Sequence, residues 1–123
     1  YAGHRVDALL PVPLHPTRLL ERGFNQSEEI ACVLSRQLNI ALDRSSLTRI
    51  KATESQSGLS LHKRRRNIMK AFAFNPTRQY RSVAIVDDII TTGSTASEIC
   101  KLLKKSGVEQ IEVWSLARAL RHD

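Results

Sequence analysis

Apolar positions in this chain follow two patterns, short consecutive runs rich in β-branched residues and stripes recurring every three or four positions. The run Val83-Ala84-Ile85-Val86 stops at Asp87-Asp88, and after Ile89-Ile90 comes the turn set Thr91-Thr92-Gly93-Ser94-Thr95. That order predicts a buried strand, a loop at its carboxyl end, and a helix whose first turn faces whatever the loop holds. Thr95 with Glu98 fits a capping box. Ala96, Ile99, Cys100 and Leu103 then form one apolar stripe. Gly107 ends this helix, with Lys104 and Lys105 near the negative end of its dipole. Ile111 to Ala117 is a further apolar strand, in which Trp114 is read as packing. Strand, helix, strand at this spacing implies a right-handed parallel crossover.

The amino-terminal half repeats the plan. Val6 to Leu14 begins as a buried strand, and Pro11 and Pro13 remove donors, so regular pairing should stop near them. A connection from His15 to Gln26 carries His15, Arg18 and Arg22. Asn25 with Glu28 fits another capping box, and Ile30, Ala31, Val33, Leu34 and Leu38 make the stripe of a second helix. Gly23-Phe24 reads as a turn, with Phe24 as a hydrophobic staple to that helix. Ile40 to Ile50 suggests a turn at Asp43-Arg44-Ser45-Ser46 leading into a short strand. Lys51 to Ser60 is almost free of apolar side chains and is expected to be mobile, and Leu59 to Ile68 suits a short helix. Ala71-Phe72-Ala73-Phe74 alternates weakly as a strand, closed by the turn signal Asn75-Pro76.

Composition narrows the picture. The 123 residues, 41% of them hydrophobic, fit one globular domain. No apolar run reaches the length of a membrane span and no secretory signal is visible, so the expected location is cytoplasmic. Cys32 and Cys100 have no second Cys or His at metal-ligand spacing and are read as reduced core thiols. The formal net charge is +7, and it is localised: between Arg49 and Lys70 stand seven cationic side chains against Glu54 alone. Such a stretch suits a polyanion, either a pyrophosphate group or nucleic acid, or is simply a solvated charged face.

The stretch after Val86 carries the most specific chemistry. Small residues and hydroxyls let backbone N–H groups close around an anion at a helix N-terminus. Two adjacent carboxylates at a strand end repel each other, and they want hydroxyl donors or a cation. One ligand bearing a phosphate and a vicinal diol satisfies both demands, and ribose 5-phosphate has that shape. In open parallel sheets, ligands sit at the carboxyl ends of strands.

The thirteen residues from Val83 to Thr95 resemble the phosphoribosyl pyrophosphate (PRPP) fingerprint of type I phosphoribosyltransferases. Pro13-Leu14-His15-Pro16-Thr17-Arg18 and Arg22-Gly23-Phe24-Asn25-Gln26 resemble the ComF/GntX-like branch of that family. So do Thr53, Gln56, Gly58, Leu59, Arg65, Asn67, Ala71 and Phe72, which extends the likeness over most of the chain. The implied fold is α/β, a single domain with a mostly parallel central sheet flanked by helices. ComF-like proteins carry an amino-terminal cysteine-rich zinc segment that this sequence lacks. Either the chain is a piece of a longer protein or it departs from the family in this respect; the expectation taken is that residues 1–123 are a phosphoribosyltransferase-like domain forming the C-terminal part of a longer protein.

The resemblance also implies roles. Asp87 and Asp88 would hold the ribose hydroxyls as the catalytic pair, and Thr91, Thr92, Gly93, Ser94 and Thr95 the 5-phosphate. Pyrophosphate would meet His15, Arg18, Arg22 and Arg65, with Asn25 in support, although His15 reads equally as a loop histidine bonded to backbone. Mg²⁺ would arrive on PRPP, with no direct protein ligand. A flexible loop that folds over the ligand would fall at Thr53 to Arg66. The implied reaction is phosphoribosyl transfer to an unidentified acceptor, usually a nitrogen, with release of pyrophosphate. Two other roles fit: a non-catalytic PRPP-sensing module, and a competence or DNA-uptake accessory protein binding nucleic acid through residues 49–70. A second copy of the chain is a further candidate partner.

Overall fold

The computed structural model describes residues 6–14, 19–20, 23–50, 71–90 and 94–118. Strand β1 (Ala8–Pro11) leads to helix α1 (Gln26–Leu38), then to the short strands β2 (Ala41–Leu42) and β3 (Leu47–Arg49). Strands β4 (Phe72–Phe74) and β5 (Ser82–Ile90) follow, then helix α2 (Ser94–Lys105) and strand β6 (Gln110–Arg118). A four-stranded sheet has the order β2-β1-β5-β6, and all its pairings are parallel. Strands β3 and β4 pair antiparallel as a separate ribbon, with Leu47 opposite Phe74 and Arg49 opposite Phe72. The α/β class with a parallel central sheet is thus as expected.

Period-two alternation decides what each face of the sheet meets. Ala8, Leu10, Val83 and Ile85 point to one side, where Ile99 and Leu103 of α2 join Leu47, Phe72 and Phe74 of the ribbon. Leu9, Ala84 and Val86 point to the other, against Ala31 of α1, with Ile30, Leu34 and Trp114 partly buried around them. Because β1 and β5 are covered on both faces, their runs are apolar without a break. The stripe of α1 is narrower than its sequence suggests. Val33 is 45% exposed and Leu38 36%, because only Ile30, Ala31 and Leu34 turn toward the sheet. Phe24 is 44% exposed rather than buried as a staple.

Local chemistry sets the ends of the helices. Asn25 caps α1, its Oδ1 accepting from the Glu28 N–H at 3.3 Å. Asn39 closes the same helix in the left-handed region (φ 56°), and the Ile40 N–H reaches the Ser35 carbonyl at 3.1 Å. At the end of α2, Gly107 has φ 98°, while Gly107 and Val108 donate to the Lys104 and Leu103 carbonyls, both at 3.1 Å. This is a Schellman closure, with Val108 packed in the same apolar cluster as Leu103. Helix α2 starts at Ser94, so Thr95 lies inside the first turn and is not the cap its spacing to Glu98 suggested. Cys32 and Cys100 are free thiols and only half-buried. Burial pushes the Cys100 thiol up from its usual range.

Two carboxylates join segments far apart in sequence. Asp7 accepts the backbone N–H groups of Arg81 (2.8 Å) and Ser82 (3.1 Å), pinning the start of β5 beside β1. Those bonds, Arg81's first, hold Asp7 below the usual carboxylate range. Asp43 accepts from the Ser45 and Ser46 backbone, from both their hydroxyls, and from the Tyr80 hydroxyl at 2.7 Å.

Candidate functional site

The order β2-β1-β5-β6 contains a reversal. From β1 the chain passes through α1 to β2 at one edge, and from β5 it passes through α2 to β6 at the other. The reversal lies between β1 and β5, and in open α/β sheets a crevice forms there, at the carboxyl ends of the strands. A crevice of about 160 Å³ occupies this position. Its wall includes Val12, Pro13 and Leu14 after β1, Asn25 to Ser27 at the start of α1, and Arg49, Asp87, Asp88 and Thr95.

Strand β5 does not end at the carboxylates. Pairing with β6 continues through Asp87 opposite Ser115 to Ile90 opposite Arg118. The strand runs on to Ile90, because a parallel neighbour of equal length carries the ladder past the change in polarity. The acids are therefore held by strand backbone and not by a loop. On the facing side, the Val12 N–H bonds the Val86 carbonyl at 2.9 Å, and the Asn25 amide donates to the Val12 carbonyl at 3.2 Å. Asn25 thus ties the segment after β1 to the start of α1 while capping that helix.

Asp87 is half-buried, and its Oδ1 accepts from the Ser27 hydroxyl at 3.2 Å and from the Asp88 N–H at 2.9 Å. Burial, reinforced by the neighbouring Asp88 carboxyl, pushes Asp87 up to about 6, while the N–H of Asp88 and the hydroxyl of Ser27 pull the other way. A buried carboxyl beside a like-charged neighbour in a crevice makes Asp87 a candidate functional residue. The arrangement offers negatively charged acceptors to a hydroxylated ligand or cation at one point, with the N-terminus of α2 alongside.

Of the residues singled out in the sequence, Asp87, Asp88 and Thr95 come together in this crevice, and Asn25 borders it. Ser94 is the first residue of α2. Thr91, Thr92, Gly93, His15, Arg18, Arg22, Arg65 and the segment Thr53 to Arg66 lie outside the described residues. Sequence reasoning missed Ser27 and Arg49. The first is an ordinary early-helix serine by its neighbours, and the second was one charge among seven in a basic stretch. A larger depression of about 770 Å³ lies between the ribbon and α2, lined by Ile50, Phe72, Leu102, Glu98 and three lysines. It brings together no paired carboxylates, so size alone does not locate the chemistry.

A phosphoribosyl transferase domain matches residues 24–122. The chain belongs to the phosphoribosyltransferase family, in its ComF-like branch. It is 48% identical over 116 residues to Competence protein F of Haemophilus influenzae, covering 92% of this chain and 51% of that protein. It is 44% identical over 114 residues to the DNA utilization protein YhgH of Escherichia coli O157:H7, covering 93% and 50%. Competence protein ComFC of Streptococcus pneumoniae is 26% identical over 107 residues, covering 87% and 46%. The chain spans about half the length of these curated relatives. Among the described residues, no helix is long and apolar enough to cross a membrane.

Proposed function

We propose that the crevice at the end of β5 binds PRPP as its magnesium complex and serves phosphoribosyl transfer. The observation that carries this reading is the Asp87–Asp88 pair, half-buried at the β1/β5 reversal beside the start of α2. In this reading the two carboxylates accept hydrogen bonds from the ribose hydroxyls. Thr91 to Thr95 receive the 5-phosphate at the N-terminus of α2, and His15, Arg18, Arg22 and Arg65 serve the pyrophosphate. Charge-assisted hydrogen bonds contribute roughly 1.5–3 kcal/mol each, so four or five support micromolar binding after ordering costs. Mg²⁺ enters this reading as part of the substrate, carried by the oxygens of PRPP itself with no direct protein ligand. Bound to pyrophosphate, it neutralises the charge that grows on that leaving group.

The acceptor nitrogen forms a bond to the anomeric carbon, and the bond from that carbon to pyrophosphate breaks, its electron pair leaving with the pyrophosphate. The acceptor's proton passes to solvent or a nearby base. The transition state is oxocarbenium-like, so positioning and charge neutralisation are what the protein supplies. Raising Asp87 toward about 6 makes the pair partly protonated when empty, and donor hydroxyls favour its charged form.

Calorimetry of Mg-PRPP against the wild type and the Asp87→Asn, Asp88→Asn double variant tests the reading. The expected result is micromolar binding lost in a variant that still folds. Equal affinity in both would overturn it. Release of pyrophosphate with a panel of bases or amines separates an enzyme from a PRPP-sensing module. A second reading, service in competence or DNA utilisation, is favoured by the relatives' names and by the basic residues between Arg49 and Lys70. DNA affinity that falls steeply with salt, and less steeply after Arg64–Arg66→Ala, would support it.

A further inference from the structure

Ser27 is a buried polar residue in the wall of the crevice, 5% exposed, with its hydroxyl on Asp87 Oδ1 at 3.2 Å. A serine inside a helix often returns its proton to a carbonyl of the preceding turn. Ser27 is the second residue of α1, so no helical turn precedes it and the hydroxyl donates outward. The helix that carries it is fixed at the same end. Asn25 caps α1 through the Glu28 N–H and donates to the Val12 carbonyl, and the Val12 N–H bonds the Val86 carbonyl. Because Val86 and Asp87 are neighbours, the path from β5 through Val12 and Asn25 to Ser27 closes back on β5 at Asp87. The hydroxyl is therefore presented by a braced ring of backbone and side chain.

Asp87 Oδ1 also accepts the Asp88 N–H at 2.9 Å. That donor belongs to the adjoining residue and moves with the strand, so it does not fix the carboxyl relative to α1. Oδ2 takes neither bond. The charged residues in the crevice wall are Asp88 on the same strand and Arg49 at the end of β3, whereas Asn25, Gln26 and Ser27 of the α1 end carry no charge and α2 contributes Thr95. We infer that Ser27 is a positioning residue, which clamps Asp87 by Oδ1 so that Oδ2 is turned to a ligand hydroxyl. Its effect on the ligand passes through the carboxyl and not through a contact of its own.

This inference rests on the PRPP reading, and the test keeps the two apart. Calorimetry of Mg-PRPP with the intact protein, from pH 5 to pH 8, would compare wild type with Ser27→Ala and Ser27→Cys. At pH 8 Ser27→Ala is expected to weaken binding by about 3- to 10-fold, the loss of one oriented carboxylate. The hydroxyl favours the charged carboxyl, so its removal should also move the midpoint of the pH–affinity profile upward. Titration of the ligand's own phosphates is common to all three proteins and cancels in that comparison. If Ser27→Ala does not fold, Ser27→Cys keeps a side chain of similar size with a weaker donor, and the same upward movement is expected with a smaller loss. A helix merely loosened by the substitution would lower affinity at every pH and leave the midpoint in place. Either an unmoved midpoint or an unchanged affinity at pH 8 would overturn the inference while leaving the PRPP reading standing. A wild type that does not bind Mg-PRPP would overturn both.

Discussion

The Ser27 hydroxyl donates to Asp87 Oδ1 at 3.2 Å across sixty residues of sequence, joining the first turn of α1 to the carboxyl end of β5. That bond favours the charged carboxyl, whereas burial and Asp88 favour the neutral one. The neutral-favouring influences win, so Asp87 sits at about 6 against 3.8 for an unperturbed aspartate. The folded state then holds a proton that the unfolded state has released. Stability from this group is present below about 4 and lost as pH rises through about 6. Asp87→Asn is expected to stabilise the protein at pH 7 by about 1 kcal/mol, after allowance for solvent screening, and denaturant titration at pH 5 and pH 8 measures it. Ser27→Ala is expected to move the Asp87 titration further upward, read by carboxyl carbon NMR. A downward shift would contradict the geometry.

A second carboxylate has the opposite sign. Burial works to raise Asp43, but the hydrogen bonds from Ser46, Tyr80 and Ser45 outweigh it and hold the group at about 2. Its contribution to stability is present above about 4 and lost as pH falls through about 2. Tyr80, buried and bonded to Asp43, is pushed up to about 12, so its part is lost only in strong alkali. Tyr80→Phe is expected to cost about 1–2 kcal/mol at pH 7. Asp43→Asn should flatten the acid limb between pH 4 and pH 2, followed by thermal melts across that range.

The helix ends make a backbone test. Gly107 at φ 98° has open space where a Cβ would go, its nearest neighbour being Gln79 Nε2 at 3.8 Å. The cost of Gly107→Ala is therefore conformational, about 1 kcal/mol. Asn39→Gly at φ 56° is expected to be neutral or slightly stabilising, and Asn39→Val to cost about 1–2 kcal/mol. Urea titrations with unchanged slopes would show that stability alone has moved.

Helix α1 tests the burial pattern. Val33→Ser is expected to change stability by less than about 0.5 kcal/mol, because the side chain faces solvent. Ile99→Ala in α2, fully buried against the sheet, should cost about 2–5 kcal/mol. Similar costs at the two positions would mean that α1 packs by a different face.

Much of the frame was legible without coordinates, and the reason is local. Consecutive β-branched residues before Asp87, the stripe ending at Leu103 and Gly107 after it depend only on side-chain shape and short-range backbone geometry. The same locality explains the misjudged boundaries. Whether β5 continues past Asp87 depends on β6 lying beside it, which no window of sequence contains. Whether Val33 is buried depends on how α1 rolls against β1 and β5.

The candidate site divides in the same way. Asp87, Asp88 and Thr95 were readable because the strand, the turn signal and the helix that present them are contiguous. Ser27 and Arg49 entered only through tertiary structure. Sheet order set the reversal between β1 and β5, packing brought α1 and the β3–β4 ribbon to its mouth, and both are long-range choices made by burial. Sequence determined which chemistry the chain carries; the fold decided which distant side chains stand beside it, because those contacts exist only after the apolar faces have closed.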